Sequence, residues 1–375
     1  MIKRSIQNKI ESKFFKGKAI IIIGARQVGK TTLLKMIADN FDGKSIYLNC
    51  DEPDIRAQLT DATSTKLNSL VGDHKLVLID EAQRMKNIGI TLKLFTDQLG
   101  SHQIIASGSS AFELSNEINE PLTGRKFEFD LYPISFKELA DVYGKLETNR
   151  LLEERLIYGM YPEIIVTKDD KKNLLKSLTQ SYLFKDILSY KGLKKPELLE
   201  KLLTALALQI GNQVSYKELA QLLKVDNETV GKYIELLEKA FVVFRLPPFS
   251  RNLRTELRKM RKIYFYDNGV RNVLINNFNL LNVRQDTGAL WENYLISERI
   301  INNRNRGSDA KSYFWRTQQQ QELDYIEIDE NNISAFEFTW NPKTKKKIPK
   351  VFLDNYPDSK TEIVNKENYF SFLNV

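Results

Sequence analysis

The chain has 375 residues, of which 42% are apolar and 28% charged, with a formal net charge of +8; this suits two or three globular domains and excludes a disordered or low-complexity protein. A single cysteine, Cys50, excludes an internal disulfide and a cysteine-based metal cluster. The longest apolar run, Ala19 to Ile23, is far too short to cross a bilayer, and the first ten residues lack an apolar signal core, so a cytoplasmic protein without a membrane partner is expected.

Residues 1–17 are polar with a loose helical spacing of Ile2, Ile6, Ile10 and Phe14. The stretch Lys18 to Leu34 then reads KAIIIIGARQVGKTTLL. Four isoleucines form a strand that breaks at Gly24, and a helical pattern begins near Lys30. This is G-x-x-x-x-G-K-T between a strand and a helix, the context a phosphate-binding loop requires. Gly24, Ala25, Arg26, Gln27, Val28, Gly29, Lys30, Thr31 and Thr32 are the expected nucleotide-binding residues. The glycines let amides converge on an anion, and the helix dipole adds to their pull. Lys30 is expected to reach the β- and γ-phosphates, and the Thr31 hydroxyl to ligate Mg²⁺.

A second strand covers Ser45 to Cys50, and helical segments run to about Val71. Lys75 to Glu81 (KLVLIDE) follows as an apolar strand ending in two acids, about 50 residues after the loop. Continuous apolar strands are buried and parallel, and their carboxyl ends carry the ligands. Asp80 is expected in the Mg²⁺ shell, and Glu81 is expected to polarise the attacking water. After a helix over Ile88 to Leu99, the strand His102 to Ser109 ends in small hydroxyl residues. Ser107, or second Ser109, is a candidate to sense the γ-phosphate; a serine-rich turn is the alternative. Arg125, on a turn before the strand Phe127 to Leu131, is either a transition-state arginine, in cis or from a neighbouring subunit, or a surface residue. Alternating strands and helices over residues 18–133 imply a parallel α/β sheet with helices on both faces.

The segments GARQVGKTT, LVLIDEAQR, IIASGSS and LTGRKFEFDLYPISFKEL, in this order, resemble a large prokaryotic family of AAA+-like P-loop ATPases with a C-terminal domain similar to PD-(D/E)xK nucleases. YGMYPEII, LFKDIL, the 210–244 region and KIYFYDNGVRNVL extend the resemblance over nearly the whole chain. The resemblance implies ATP and Mg²⁺ as cofactors and four parts: an ATPase domain (1–135), a helical connector (136–195), a winged-helix-like domain (196–248) and a nuclease-like α/β domain (249–375). ATP rather than GTP rests on the resemblance alone.

In the middle region, Pro196 starts a helix toward Gly211, Ser215 caps Tyr216 to Leu223, and Asp226 caps a helix through Ala240. The third helix carries a net charge of −2, from four acids and two lysines, which argues against DNA reading by that helix and favours a packing or lid role. The best candidate DNA contact is the basic run Arg251 to Lys262, including Arg254, Arg258 and Arg261; a solvated face or linker is the alternative. A second basic run spans Lys343 to Lys350.

A strand Lys262 to Tyr266 is expected to open the last domain, with a helix near Ala289 to Ile301 and strands at Ser312 to Trp315, Leu323 to Ile328 and Ile333 to Trp340. The nuclease pattern points to Glu292, Asp324 and Glu337 as a second metal site. The period of two then places Thr339 where a catalytic lysine is required, so nuclease activity is not expected unless a lysine of the later run substitutes. Three functions follow: a Mg²⁺-dependent ATPase whose nucleotide state controls its C-terminal domains, a DNA-processing factor driven by that ATPase, or a nucleotide-holding interaction protein without turnover. A homo-oligomer is compatible with each.

Overall fold

The computed structural model describes residues 2–108, 118, 121–180, 196–249 and 261–375. Its contacts divide the chain into two units, Met1–Pro133 and Ile134–Val375.

The first unit is built on five parallel strands: β1 (Ala19–Gly24), β2 (Ser45–Asn49), β3 (Leu76–Asp80), β4 (Gln103–Gly108) and β5 (Lys126–Leu131). Their order is β2-β3-β4-β1-β5. Every residue of β1, β3 and β4 is buried, whereas the edge strands β2 and β5 are mostly half-buried or exposed, with one buried residue each. The continuous apolar runs thus occupy the centre of the sheet, where both faces are covered by helices such as Lys30–Asn40 and Ile88–Gln98. The sheet order inserts β4 between the loop-bearing strand and the acid-bearing strand. Gly24 closes β1 tightly against β5: a Cβ there would lie 2.2 Å from the Leu131 carbonyl oxygen. The expected leading helix is short, Gln7–Glu11. What anchors this segment is Arg4, buried and donating to the carbonyls of Val28 (2.7 Å) and Tyr132 (2.6 Å).

In the second unit, helices run from Phe136 to Thr179. The helix Pro196–Leu208 and the short strand β6 (Gln213–Val214) precede the capped helices Tyr216–Leu223 and Asn227–Lys239. Ser215 and Asp226 cap these two as the sequence predicts. β7 (Val243–Leu246) and β8 (Arg261–Phe265) complete an antiparallel sheet of order β6-β8-β7. β8 is therefore the central strand of the middle sheet, and a domain boundary at 248/249 would cut through it. Its row of buried apolar side chains, Ile263, Tyr264 and Phe265, packs best with neighbours on both sides.

The C-terminal sheet has order β12-β11-β10-β9 and comprises β9 (Lys311–Arg316), β10 (Glu322–Asp329), β11 (Asn332–Phe338) and β12 (Lys360–Val364). β12 runs parallel to β11 and was not expected from the sequence. The helix Thr287–Arg306 buries Trp291, Tyr294 and Leu295. No helix among the described residues is long and apolar enough to cross a membrane.

Two distant segments interlock in this unit. The helix Asn268–Leu274 is capped by buried Asp267, which accepts from the amides of Val270 (2.9 Å) and Met160 (2.6 Å). Asn272 donates to the carbonyls of Leu156 (3.2 Å) and Ile157 (2.8 Å). Arg271 donates to the Ala207 carbonyl at 2.8 Å and pairs with Asp286. Asp267, Asn272 and Arg271 are thus each satisfied by groups distant in sequence, as burial demands.

Glu298, on the helix Thr287–Arg306, accepts from the Phe136 amide at 2.7 Å. Burial pushes its carboxyl up to about 8, with the charges of Glu138 and Asp267 adding to the shift. A raised carboxyl contributes stability that is complete below its unfolded value of 4.5 and is lost as pH rises through 8. Asp267, pushed up to about 6 by burial, acts in the same direction over a narrower window. Wild-type protein is therefore expected to lose stability between pH 5 and pH 8.5. Glu298→Gln keeps an acceptor for Phe136 but removes the ionisation, and should gain about 3 kcal/mol over wild type at the alkaline end. Chemical denaturation of both proteins at the two pH values checks this; parallel curves would contradict it.

Candidate functional site

The loop between β1 and the helix Lys30–Asn40 has the backbone its glycines require. Gly29 is left-handed with φ 96°, and Gln27 also adopts a positive φ of 59°. That pair of turns winds residues 24–29 around the first turn of the helix, where free amides and the dipole end favour an anion. Lys30 is buried, and its ammonium donates to the loop's own carbonyls, Gly24 at 3.0 Å and Ala25 at 2.8 Å. Val28 is buried and carries the carbonyl bound by Arg4, while Thr32 is exposed.

Asp80 closes the site. It ends β3 and is buried. Its Oδ2 accepts from Thr31 Oγ1 at 2.6 Å and from Tyr47 Oη at 2.6 Å. Its Oδ1 accepts from the Ser107 hydroxyl and from the Glu81 amide at 3.1 Å. Ser107 lies on β4, in register with Ile22 of β1, which places its hydroxyl between loop and acid. It is thereby directed at the Asp80 carboxylate. Burial and the hydrogen bond to Asp80 hold the Tyr47 phenol well above its ordinary value, and burial with the Asp80 charge pushes the Cys50 thiol up to about 12.

Glu81 has a positive φ of 53°, unusual for a residue with a Cβ, so the chain turns sharply off the strand at this carboxylate. Gln83 Nε2 holds the Glu81 carboxylate at 2.5 Å. A hydroxyl and a carboxylate converging on the mouth of an anion-binding loop are hard oxygen donors, and they fit Mg²⁺ carried by a phosphate chain.

Sequence reasoning missed Arg4 and Tyr47. Their only sequence signal is the polar–apolar context of the strands they approach. Arg125 is not beside this site. Its carbonyl accepts from the Ala19 amide, so it stands at the start of β1, about 17 Å of strand rise below Gly24. Its guanidinium pairs with Asp97 at 2.7 Å. It therefore does not serve the loop of its own unit; the turn before a parallel strand lies at the amino end of the sheet, opposite the ligand face. Ser109 lies outside the described residues.

The three C-terminal acids do come together, but around lysines. Asp324 of β10 and Glu337 of β11 flank the register pair Tyr325–Phe336. Lys346 Nζ lies 2.6 Å from Glu337 and 3.5 Å from Asp324. Lys262 Nζ, on β8, lies 2.9 Å from Glu292 and 2.5 Å from Glu322. Tyr264 donates to Glu292 at 2.5 Å. Burial opposes the charge on Lys262, but the surrounding Glu292, Asp324 and Glu322 carboxylates outweigh it and keep the ammonium charged. Burial and the Asp324 charge push Glu292 and Glu337 each up to about 7.

Among the described residues no group of three or more His, Cys, Asp or Glu is arranged to hold a metal ion. The second metal site expected at Glu292, Asp324 and Glu337 is thus corrected to a carboxylate–lysine cluster, in which two ammonium groups supply the positive charge. β11 ends at Phe338, and Thr339 donates to the Asn341 carbonyl at 3.1 Å. The lysine absent from position 339 arrives instead from the later basic run.

The basic run Arg251 to Lys262 is also altered. Lys262 is 1% exposed and committed to acids, so it is not a phosphate contact. Residues 251–260, including Arg254 and Arg258, lie outside the described residues. On the helix Asn227–Lys239, both lysines are paired one turn away, Lys232 with Glu228 at 2.7 Å and Lys239 with Glu235 at 2.8 Å. This face is neutralised by its own acids.

Residues 16–140 match the family model described as AAA domain, residues 149–281 a domain of unknown function (DUF8612), and residues 287–372 a domain of unknown function (DUF4143). The border between the last two falls beyond β8, in agreement with the sheet topology. An uncharacterized protein of Methanocaldococcus jannaschii is 26% identical over 390 aligned positions, spanning 96% of this chain and 83% of that one. An uncharacterized protein of Mycobacterium tuberculosis is 26% identical over 332 positions, spanning 87% and 71%. Among solved structures, the Thermotoga maritima RuvB Holliday junction branch migration motor covers 66% of this chain and 89% of its own at 17% identity, with a TM-score of 0.31. With its parallel sheet, its glycine loop and its match over residues 16–140, the first unit is a nucleotide-binding P-loop domain of the AAA type.

Proposed function

We infer that the first unit binds ATP with Mg²⁺ and hydrolyses it, and that its nucleotide state controls the second unit. The observation that carries this reading is the convergence of Thr31, Ser107 and Tyr47 on Asp80 at the mouth of the glycine loop. The loop amides and the Lys30 ammonium would neutralise the phosphate chain, with Lys30 exchanging the Gly24 and Ala25 carbonyls for phosphate oxygens. Thr31 and Asp80 would hold Mg²⁺, which when bound draws charge from the β- and γ-phosphates. Ser107 would orient the Asp80 carboxylate. Glu81, its carboxylate steadied by Gln83, would align a water and take its proton as the γ-phosphate is attacked.

Two properties separate hydrolysis from mere nucleotide holding. Glu81→Gln preserves the shape of the side chain and removes its basicity. It should bind a fluorescent ATP analogue within about threefold of wild type and lower phosphate release by about a hundredfold or more. Equal turnover in the variant would remove Glu81 from this role. No turnover in wild type, beside tight nucleotide binding, would replace the enzyme reading with a structural-nucleotide one.

A further inference from the structure

The carboxylate of Asp80 is fully engaged by protein donors. A carboxylate offers about four acceptor directions, two on each oxygen. Thr31 Oγ1 and Tyr47 Oη fill those of Oδ2, and the Ser107 hydroxyl and the Glu81 amide fill those of Oδ1. A hydrated Mg²⁺ held by this acid needs at least one of these directions. One donor must therefore yield, and the four are not equally able to do so.

The Glu81 amide is backbone, fixed at the end of β3. Ser107 is completely buried on a central strand, so its hydroxyl would lose its partner without meeting water. Thr31 sits on the first turn of the loop helix and can turn a lone pair outward while still donating its proton to Asp80. Tyr47 differs from all three. It lies on edge strand β2, it is 37% exposed, and its hydroxyl can exchange the carboxylate for water with a small rotation. The ammonium of exposed Lys35 stands 5.8 Å from the centre of its ring.

We propose that the Tyr47 phenol is a displaceable cap on the metal-site acid, giving up its place on Asp80 when Mg²⁺ arrives with the nucleotide. The proposal rests on the reading of this site as one for ATP and Mg²⁺. It makes the side chain at the free edge of the sheet a competitor of the metal, and so a residue that sets how much Mg²⁺ the site demands.

The test titrates Mg²⁺ into wild type and Tyr47→Phe in the presence of a fluorescent ATP analogue, with parallel titrations of the analogue in EDTA and thermal melts without nucleotide. Removing the competing hydroxyl should lower the half-saturating Mg²⁺ concentration by about three- to tenfold. Affinity in EDTA should stay within about twofold, because the phenol meets the acid and not the phosphates. The melt without nucleotide should fall by only the few degrees that the one lost hydrogen bond accounts for, which separates this effect from a packing defect. A half-saturating Mg²⁺ concentration equal to or above that of wild type overturns the cap. Wild type that fails to bind the analogue with Mg²⁺ at all overturns the ATP reading itself, and that outcome is visible before the variant is compared.

Discussion

Lys30→Ala is expected to weaken ATP binding by about a hundredfold and to abolish turnover, since it removes a charge-assisted contact from a site where amide dipoles alone remain. The geometry makes the substitution informative. The ammonium is buried and held by two carbonyls of its own loop, so it is already ordered before any ligand arrives and little side-chain entropy remains to be lost when it trades them for phosphate oxygens. The turn itself is set by Gly29 and Gln27 with their positive φ, so the alanine variant retains the loop's path. Titration of a fluorescent ATP analogue, read beside a thermal melt, gives the answer. A variant that melts like wild type and binds no nucleotide supports the loop as the site. A variant that binds as tightly as wild type removes the phosphate-loop assignment altogether.

Gly159→Ala should be a severely damaging single-methyl change in the second unit. Gly159 has φ 80° and ψ −167°, a conformation accessible essentially to glycine alone. A Cβ there would lie 2.2 Å from Asp267 Oδ1 and 2.6 Å from its Cγ. Asp267 has nowhere to go, because its two oxygens hold the amides of Met160 and Val270 and it is buried. Backbone strain and the disrupted cap together should cost about 3–5 kcal/mol. Calorimetry should show a lowered transition for this variant, whereas ATP and Mg²⁺ should still protect the transition of the first unit. An unchanged thermogram would mean that the interlock of residues 158–160 with 267–272 contributes little.

The first unit was the most legible part of the chain. Its central strands are uninterrupted apolar runs, and the loop and the two acids follow them at spacings tied to a mechanism, so Lys30, Thr31 and Asp80 could be placed from their neighbours in sequence. The Asp80 partners on other strands could not. Tyr47 stands 33 residues from Asp80, and Arg4 stands 128 from the Tyr132 carbonyl; only the folded sheet order brings them in. For Arg125 the sequence left two readings open, and the structure removes only the one in cis, because the turn before a parallel strand lies at the end of the sheet opposite the loop. In the second unit the caps Ser215 and Asp226 marked their helices correctly, since capping is a local bond. The partners of β8 were not visible, because a short strand of Ile263, Tyr264 and Phe265 suits any sheet that buries it. Thr339 falls just past the end of β11, and the approach of Lys346 to Glu337 depended on a loop whose path no periodicity encodes.

The strand that carries Lys262 and Tyr264 has a practical meaning for anyone cloning pieces of this molecule. A fragment starting at Thr287 would keep Glu292 but discard the ammonium and phenol that answer it, while Glu322 would retain only Arg316, leaving Glu292 beside Asp324 in a buried surround. Such a piece should express poorly or collapse at neutral pH even though it spans an entire sequence-defined module. Scissors belong at the seam between Pro133 and Ile134, with everything downstream kept in one length.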